Sequence, residues 1–171
     1  MQKSRFRRTD LRALVRDALL AAILVISKEM LAFLPNVELV TTLLMAYTVV
    51  YRFRALVPIY AFVAIEAVLY PSVSSTLMYL YVWLVLWVIV MLLPHRTMPA
   101  LLYMLVGGLF GLVFGCLCAP VQALYFGLSA KGALAWIVAG LPFDLSHAIG
   151  NFAIGALTPV VINLLRWLEK N

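Results

Sequence analysis

The mostly apolar stretch LPFDLSHAIGNF, residues 141–152, contains a carboxylate, an imidazole and a carboxamide. Asp144, His147 and Asn151 follow one another at spacings of three and four residues, so on a helix they share one face. A carboxylate and an imidazole could work as a general acid–base pair, and all three groups could hydrogen-bond a ligand. Each polar group costs free energy inside a membrane, so a stripe of three predicts a partner for them.

The composition of the chain indicates whether this stripe lies in a water-soluble protein or in a membrane protein. Of the 171 residues, 65% are hydrophobic and 12% are charged, and the mean hydropathy is +1.06. A water-soluble fold of this size exposes too much surface to hide so much apolar area. The chain is therefore predicted to be an integral membrane protein. The formal charge of +6 therefore does not indicate a nucleic-acid partner. The distribution of the basic residues along the chain indicates the orientation in the membrane instead.

Apolar runs divide the chain into six predicted transmembrane helices within a single domain, residues 1–171. These helices are expected at about residues 11–33, 37–51, 55–70, 76–93, 99–119 and 145–168. Pro120 is expected to bend or end the fifth helix. The segment between the fifth and sixth helices is apolar but interrupted by glycines, and it predicts a short re-entrant or interfacial helix. The predicted fold class is therefore all-α and integral to the membrane.

Most lysine and arginine residues fall on one side of this topology. They lie in the N-terminal arm (residues 1–10) and just after it, in the loops that follow the second and fourth helices, and at the C-terminus. On the other side only Lys131 lies in a loop, with Lys28 near the outer end of the first helix. Because cytoplasmic loops are enriched in basic residues, both termini are predicted to be cytoplasmic. No small-residue cleavage site follows the first apolar run, so the basic arm is expected to be retained.

The same topology places a set of polar residues from separate helices at one depth, in the outer half of the membrane. The set consists of Lys28, Glu29, Asn36, Glu38, Glu66, Asp144, His147 and Asn151. Polar groups at such depth usually face a bundle interior or a wet cavity. We therefore expect an outward-facing pocket lined by Asn36, Glu38, Glu66, Asp144, His147 and Asn151.

Each of these polar residues also has a structural interpretation. Asp144 suits the N-cap of the sixth helix, where its charge meets the positive helix end. His147 suits a hydrogen bond between packed helices, and Glu66 suits a structural ion pair with Lys28. The convergence of the whole set favours the pocket over any of these alternatives taken singly.

Aromatic residues form a second stripe in the fourth helix. Tyr79, Trp83 and Trp87 recur every four residues from the outer surface inwards. Tyr81 and Trp136 are expected to belong to an interfacial aromatic belt. Trp83 and Trp87 lie deeper than a belt, so they suit either core packing or contact with a flat ligand. Aromatic walls with a few polar groups are typical of small-molecule sites.

Small residues recur at four-residue spacing in two other helices. Gly107, Gly111 and Gly115 predict a close-packing stripe on the fifth helix. Ala18 and Ala22 form a similar pair in the cytoplasmic half of the first helix, and such a pair suits the surface for a partner protein. The sequence contains no GxxxxGK[ST] motif, so any ATP hydrolysis that drives transport would belong to another chain.

Other chemistry has little support in the sequence. Cys116 and Cys118 are two residues apart in an apolar helix and are expected to be packing residues. No cofactor, metal site or catalytic residue is predicted. An intramembrane enzyme that uses Asp144 and His147 as an acid–base pair is the alternative, but no nucleophile accompanies them. A channel would need polar groups along its full length, and a structural membrane subunit would need no convergence of polar groups.

Taken together, these features resemble a family. The chain resembles an S component in its six helices, in the AxxxA of Ala18 and Ala22, in LPNVELVTTLLM after the first helix and in GLPFDLSHAIGNF, which opens the last helix. S components are the substrate-specific subunits of prokaryotic energy-coupling factor (ECF) vitamin transporters, and the resemblance covers nearly the whole chain. It implies a cell-membrane protein that captures a micronutrient at its outer face. It also implies docking, through Ala18 and Ala22, on a transmembrane T component that works with two cytoplasmic ATPases.

The resemblance narrows the ligand without fixing it. The first loop and the aromatic fourth helix are most similar to S components associated with cobalamin or with queuosine precursors, and both ligands would suit Trp83 and Trp87. Folate, pantothenate and other vitamins stay open. By the same likeness, the loop after the first helix and the outer ends of the fourth to sixth helices would hold the ligand.

Overall fold

The chain folds as a bundle of eight helices in the part that the structure describes. The computed structural model describes residues 8–34 and 37–170, and every regular element in these ranges is helical. The helices are α1 (Arg8–Met30), α2 (Val40–Tyr51), α3 (Leu56–Leu69), α4 (Val73–Met91), α5 (Ala100–Leu112), α6 (Phe114–Phe126), α7 (Ala130–Gly155) and α8 (Thr158–Lys170). The all-α prediction is therefore confirmed.

Within the described residues, four helical stretches have the length and apolar composition needed to cross a membrane. They are Val40–Leu69, Val73–Met91, Ala100–Phe126 and Ala130–Gly155. The first of them contains α2, a short 3₁₀ turn (Arg52–Ala55) and α3. Arg16 lies over the ring of Tyr51 at the end of α2, whereas Lys28 pairs with Glu66 near the end of α3. The chain therefore reverses at the 3₁₀ turn, and α2 and α3 run antiparallel.

The last third of the chain differs from the prediction. The fifth predicted helix is broken at Val113 rather than at Pro120, which lies inside α6. The segment predicted to be re-entrant is not a separate element, because it supplies the end of α6 and the first half of the continuous helix α7. The sixth predicted helix consequently begins earlier than expected and ends at Gly155, where a turn separates it from α8.

Helix α2 lies at the centre of the bundle. All its residues from Val40 to Val49 are buried, and it contacts α1, α4, α5, α7 and α8. Large aromatic side chains fill the core, among them Tyr47 of α2 itself and, from the surrounding helices, Phe62, Trp83 and Phe110.

Helices α5 and α6 pack against α7 through glycines, and this contact positions the polar stripe. A Cβ added to Gly107 would lie 3.1 Å from the backbone oxygen of Asn151, and one added to Gly111 would lie 2.9 Å from that of His147. A Cβ added to Gly115 would meet the carboxylate of Asp144. The predicted close-packing role of the glycine stripe is thus confirmed, and its partner is the polar stripe itself.

Candidate functional site

A cavity of about 650 Å³ lies at the end of the bundle where α1 and α3 end and α4 begins. We call it the main cavity. Its wall is formed by the end of α1, the segment before α2, the first half of α4, and parts of α6 and α7. A second cavity of about 260 Å³, the side cavity, shares Lys28, Tyr70 and Tyr79 with it. The volume of the main cavity is typical of sites for small molecules, which measure about 300–1,000 Å³.

Four of the predicted site residues line the main cavity. They are Glu38, Tyr79, Asp144 and His147. Glu66 lines the side cavity instead. Asn36 lies outside the described residues. The structure therefore brings residues from α4, α7 and the segment before α2 to one cavity wall.

His147 and Glu38 are joined across the wall. His147 Nε2 lies 3.0 Å from Glu38 Oε1, although 109 positions separate the two residues. The same carboxylate oxygen accepts a hydrogen bond of 2.6 Å from the Thr41 hydroxyl. Asn151 Nδ2 donates to the oxygen of Thr41 at 3.3 Å. A continuous hydrogen-bonded chain thus links the loop before α2 to α7, and it fixes how the imidazole faces the cavity.

Asn151 itself lies beneath the cavity. It is 1% exposed and does not line the wall, so the structure gives it no direct access to a ligand. Its Oδ1 atom accepts no hydrogen bond within the described residues. Asn151 therefore acts on the wall through Thr41 and Glu38.

Asp144 does not cap its own helix as the alternative interpretation supposed. It lies in the middle of α7, and the N-cap of α7 is Ser129, which accepts a hydrogen bond from the N–H of Gly132. Asp144 Oδ1 instead accepts a hydrogen bond of 3.1 Å from the backbone N–H of Gly115. Because α6 begins at Phe114, this N–H is one of the donors that a new helix leaves unpaired. Asp144 thus caps the neighbouring helix α6.

Lys28 and Glu66 form an ion pair, as the structural interpretation of Glu66 predicted. Glu66 is 4% exposed, and the ammonium of Lys28 also lies over the rings of Tyr70, at 4.6 Å, and Tyr79, at 5.8 Å. The pair stands where the two cavities adjoin. Nearby, the hydroxyl of Tyr70 donates to Glu29 at 2.7 Å, and this hydrogen bond raises the pKa of Tyr70.

Trp83 and Trp87 do not line either cavity. Trp83 is 2% exposed and packs against Phe62, Tyr79, Phe110 and Phe114. Trp87 lies further along α4, where its indole N–H donates to the carbonyl oxygen of Arg52 at 3.1 Å. Both residues therefore follow the core-packing interpretation. The aromatic wall of the cavity is supplied instead by Tyr70, Tyr79, Phe114, Trp136 and Phe143.

Several lining residues were missed by sequence reasoning. Phe114 belongs to the glycine-rich stretch GGLFGLVFG, and its ring lies 4.9 Å from the imidazole of His147. Gln122 also lines the cavity. The sequence could have indicated this, because Gln122 carries the one amide side chain in its apolar run. Trp136 was expected in an interfacial belt but lies on the cavity wall. Glycine spacing gave no indication of which ring would face the cavity.

The predicted partner surface lies on the outside of the bundle. Ala18 is exposed on α1 and Ala22 is half-buried one turn further on. At this end of the bundle, the buried carboxylate of Asp17 pairs with Arg16 and with Arg54. Cys116 and Cys118 are free thiols, the first exposed and the second buried. Among the described residues no group of three or more histidine, cysteine or acidic side chains could hold a metal ion.

Comparison of the chain with models of known protein families, with curated proteins and with solved structures found no match.

Proposed function

We propose that the protein is a membrane-embedded substrate-binding subunit of a transporter, of the S-component type found in ECF vitamin transporters. The observation that carries the proposal is the main cavity. It gathers Glu38, Asp144 and His147 from distant parts of the chain onto one wall, beside several aromatic rings. Convergent polar groups on an aromatic wall suit the orientation of one small ligand.

The proposal includes the membrane topology. Six spans would be made by α1, α2, α3, α4, the α5–α6 pair and α7, with both termini in the cytoplasm of a prokaryotic cell. The reversal between α2 and α3 supports counting these two helices separately. In this orientation the main cavity opens outwards, because Lys28 and Glu66 lie at the opposite end from Arg16 and Arg54.

The energy for transport would come from other chains. In the proposed complex, the small residues Ala18 and Ala22 contact the T component, and two ATPases act from the cytoplasm. Exposure of Ala18 on the outer face of α1 supports this assignment. Small side chains there would allow a partner helix to approach closely.

The proposed ligand is a micronutrient of moderate size. A volume of about 650 Å³ fits a flat heterocycle such as a queuosine precursor better than the much larger corrinoid cobalamin. We therefore favour the smaller of the two ligands that the resemblance suggests.

Purification tests the proposal directly. The protein is expressed in a prokaryotic host, purified in lipid nanodiscs and denatured, and the released small molecules are identified by mass spectrometry. We expect one vitamin-like compound in near-stoichiometric amount, and its loss from a His147→Trp variant in which the indole fills the cavity. The matched control is Ile149→Trp, which places the same indole on the exposed face of α7. Absence of any bound or saturably rebinding small molecule would contradict the proposal.

A further inference from the structure

We infer that the ligand of the main cavity is a cation, with a protonated amine or amidine attached to a flat apolar body. This inference rests on the proposed function, and it narrows the class of substrate.

The wall of the main cavity is acidic although the protein as a whole is basic. The formal charge of the chain is +6, yet the cavity is lined by three carboxylates, those of Glu29, Glu38 and Asp144, and by a single lysine. The lysine is Lys28, whose charge is already matched by the buried carboxylate of Glu66. His147 also lines the cavity, and even with its imidazole protonated the three carboxylates outnumber the two cations. The cavity wall therefore has a net negative charge, which attracts a cation and repels an anion.

Asp144 is the residue that most needs a further partner. It is 6% exposed, and only its Oδ1 atom is hydrogen-bonded, to the N–H of Gly115. Its Oδ2 atom is buried and accepts no hydrogen bond from the described residues. A buried acceptor without a donor costs free energy, and the cost is larger when the group is charged. A ligand N–H at this wall would supply the missing donor.

Glu38 offers a second acceptor on the same wall. Glu38 accepts both of its hydrogen bonds, from the hydroxyl of Thr41 and from His147 Nε2, on Oε1. Oε2 accepts no hydrogen bond from the described residues. A protonated nitrogen has several N–H donors, so one ammonium or amidinium group can serve two carboxylates. A carboxylate ligand has no donor for either.

The bundle already holds one cation in this manner. The ammonium of Lys28 pairs with Glu66 and lies over the rings of Tyr70 and Tyr79. Carboxylates and aromatic faces together are the environment that a partly desolvated cation requires. The main cavity offers the same two features at Asp144 and Phe114, because both the carboxylate and the aromatic ring line its wall. The same rings provide apolar faces on which a flat body can stack.

The test uses three probes of the same shape and different charge. The full-length protein in nanodiscs is titrated at neutral pH with 2-naphthylmethylamine, 2-naphthylmethanol and 2-naphthoate, and saturable binding is measured by ligand-observed NMR against empty nanodiscs. We expect the amine to bind about tenfold more tightly than the alcohol. We expect no saturable binding of the carboxylate.

Two variants tie this preference to the wall. Asp144→Asn keeps the size of the side chain and an acceptor for Gly115, and it should make the affinities for amine and alcohol nearly equal. Glu38→Gln should reduce the preference in the same direction and serves if the first variant fails to fold. The control is Glu169→Gln, which removes a carboxylate that pairs with Arg16 at the other end of the bundle. It should leave the preference for the amine unchanged.

Several outcomes would overturn the inference. The first is binding of the alcohol or the carboxylate that equals or exceeds that of the amine. The second is failure of all three probes to bind, and the third is a preference for the amine that persists in both Asp144→Asn and Glu38→Gln. Mass spectrometry of the molecule that co-purifies separates this failure from that of the proposed function. A neutral or anionic compound bound to the purified protein would remove the inference and leave the proposed function standing. If neither a probe nor a co-purified molecule binds, both fail.

Discussion

The backbone of Gly111 in α5 lies directly against the backbone of His147 in α7. A Cβ on Gly111 would come within 2.9 Å of the carbonyl carbon and oxygen of His147. This contact holds α7 close to α5, and His147 thereby reaches both Glu38 and the cavity. The polar stripe and the glycine stripe therefore form one structural unit.

Alanine at the glycine stripe should destabilise the protein. In Gly111→Ala the new methyl group meets backbone rather than a flexible side chain, so the helices must move apart. We expect a loss of about 1–3 kcal/mol in the free energy of unfolding, the usual cost of overpacking. Thermal unfolding in nanodiscs measures it. Gly140→Ala is the control, because nothing lies within 4 Å of its added Cβ. Equal stability of the two variants would contradict the close packing.

Removal of the imidazole should weaken ligand binding. His147→Ala leaves polar atoms of the ligand or of Glu38 unpaired, at a cost of about 1–3 kcal/mol. This corresponds to a roughly five- to 150-fold loss of affinity. Asn151→Ala should have a smaller effect, because Asn151 contacts Thr41 rather than the cavity. Isothermal titration with the identified ligand compares both with Ile149→Ala on the exposed face of α7. Unchanged affinity in His147→Ala would show that the imidazole only joins helices.

Breaking the Lys28–Glu66 pair from one side should cost more than removing both partners. Lys28→Met leaves the buried carboxylate of Glu66 without its cation, and we expect a loss of about 1–3 kcal/mol in stability. The double variant Lys28→Met, Glu66→Gln should recover part of this loss, because it no longer buries an unpaired charge. Thermal unfolding of both single variants, Lys28→Met and Glu66→Gln, and of the double variant provides a double-mutant cycle. Additive effects would mean that the two side chains do not stabilise each other.

Bulky residues at Ala18 and Ala22 should block assembly with the T component. The Ala18→Trp, Ala22→Trp double variant would hold a partner helix away from α1, since close approach needs small side chains. Ligand binding should persist, because neither position lines the main cavity. Co-purification with tagged T component measures association. Leu109→Trp, on the exposed face of α5, is the control. Normal assembly of the double variant would exclude this surface.

Cysteine labelling tests the orientation. In a background with Cys116 and Cys118 replaced, Lys131→Cys should react with a membrane-impermeant maleimide on intact cells. Arg96→Cys should react only after the cells are opened. Both positions are exposed, so the difference depends on the side of the membrane. The reverse pattern would place the main cavity on the cytoplasmic side and would contradict uptake from outside.

The sequence by itself determined the class of the protein and the local order of its parts. Apolar composition identified membrane helices, and helical periodicity placed Asp144, His147 and Asn151 on one face. The four-residue spacing of the glycines predicted close packing, which the contact of α5 and α6 with α7 confirms. These features are local, because they depend on residues within a few turns of one another.

Only the tertiary structure decided which side chains form the cavity. Glu38 meets His147 across 109 positions, and no local pattern encodes such a contact. The sequence left core packing and ligand contact open for Trp83, and its contacts with Phe62, Phe110 and Phe114 put it in the core. On a helix that lies in lipid, the core-facing and lipid-facing sides are equally apolar. Hydrophobic periodicity therefore cannot tell one side from the other. The capping of α6 likewise involves a distant residue, because the carboxylate of Asp144 accepts a hydrogen bond from the N–H of Gly115 at the start of that helix.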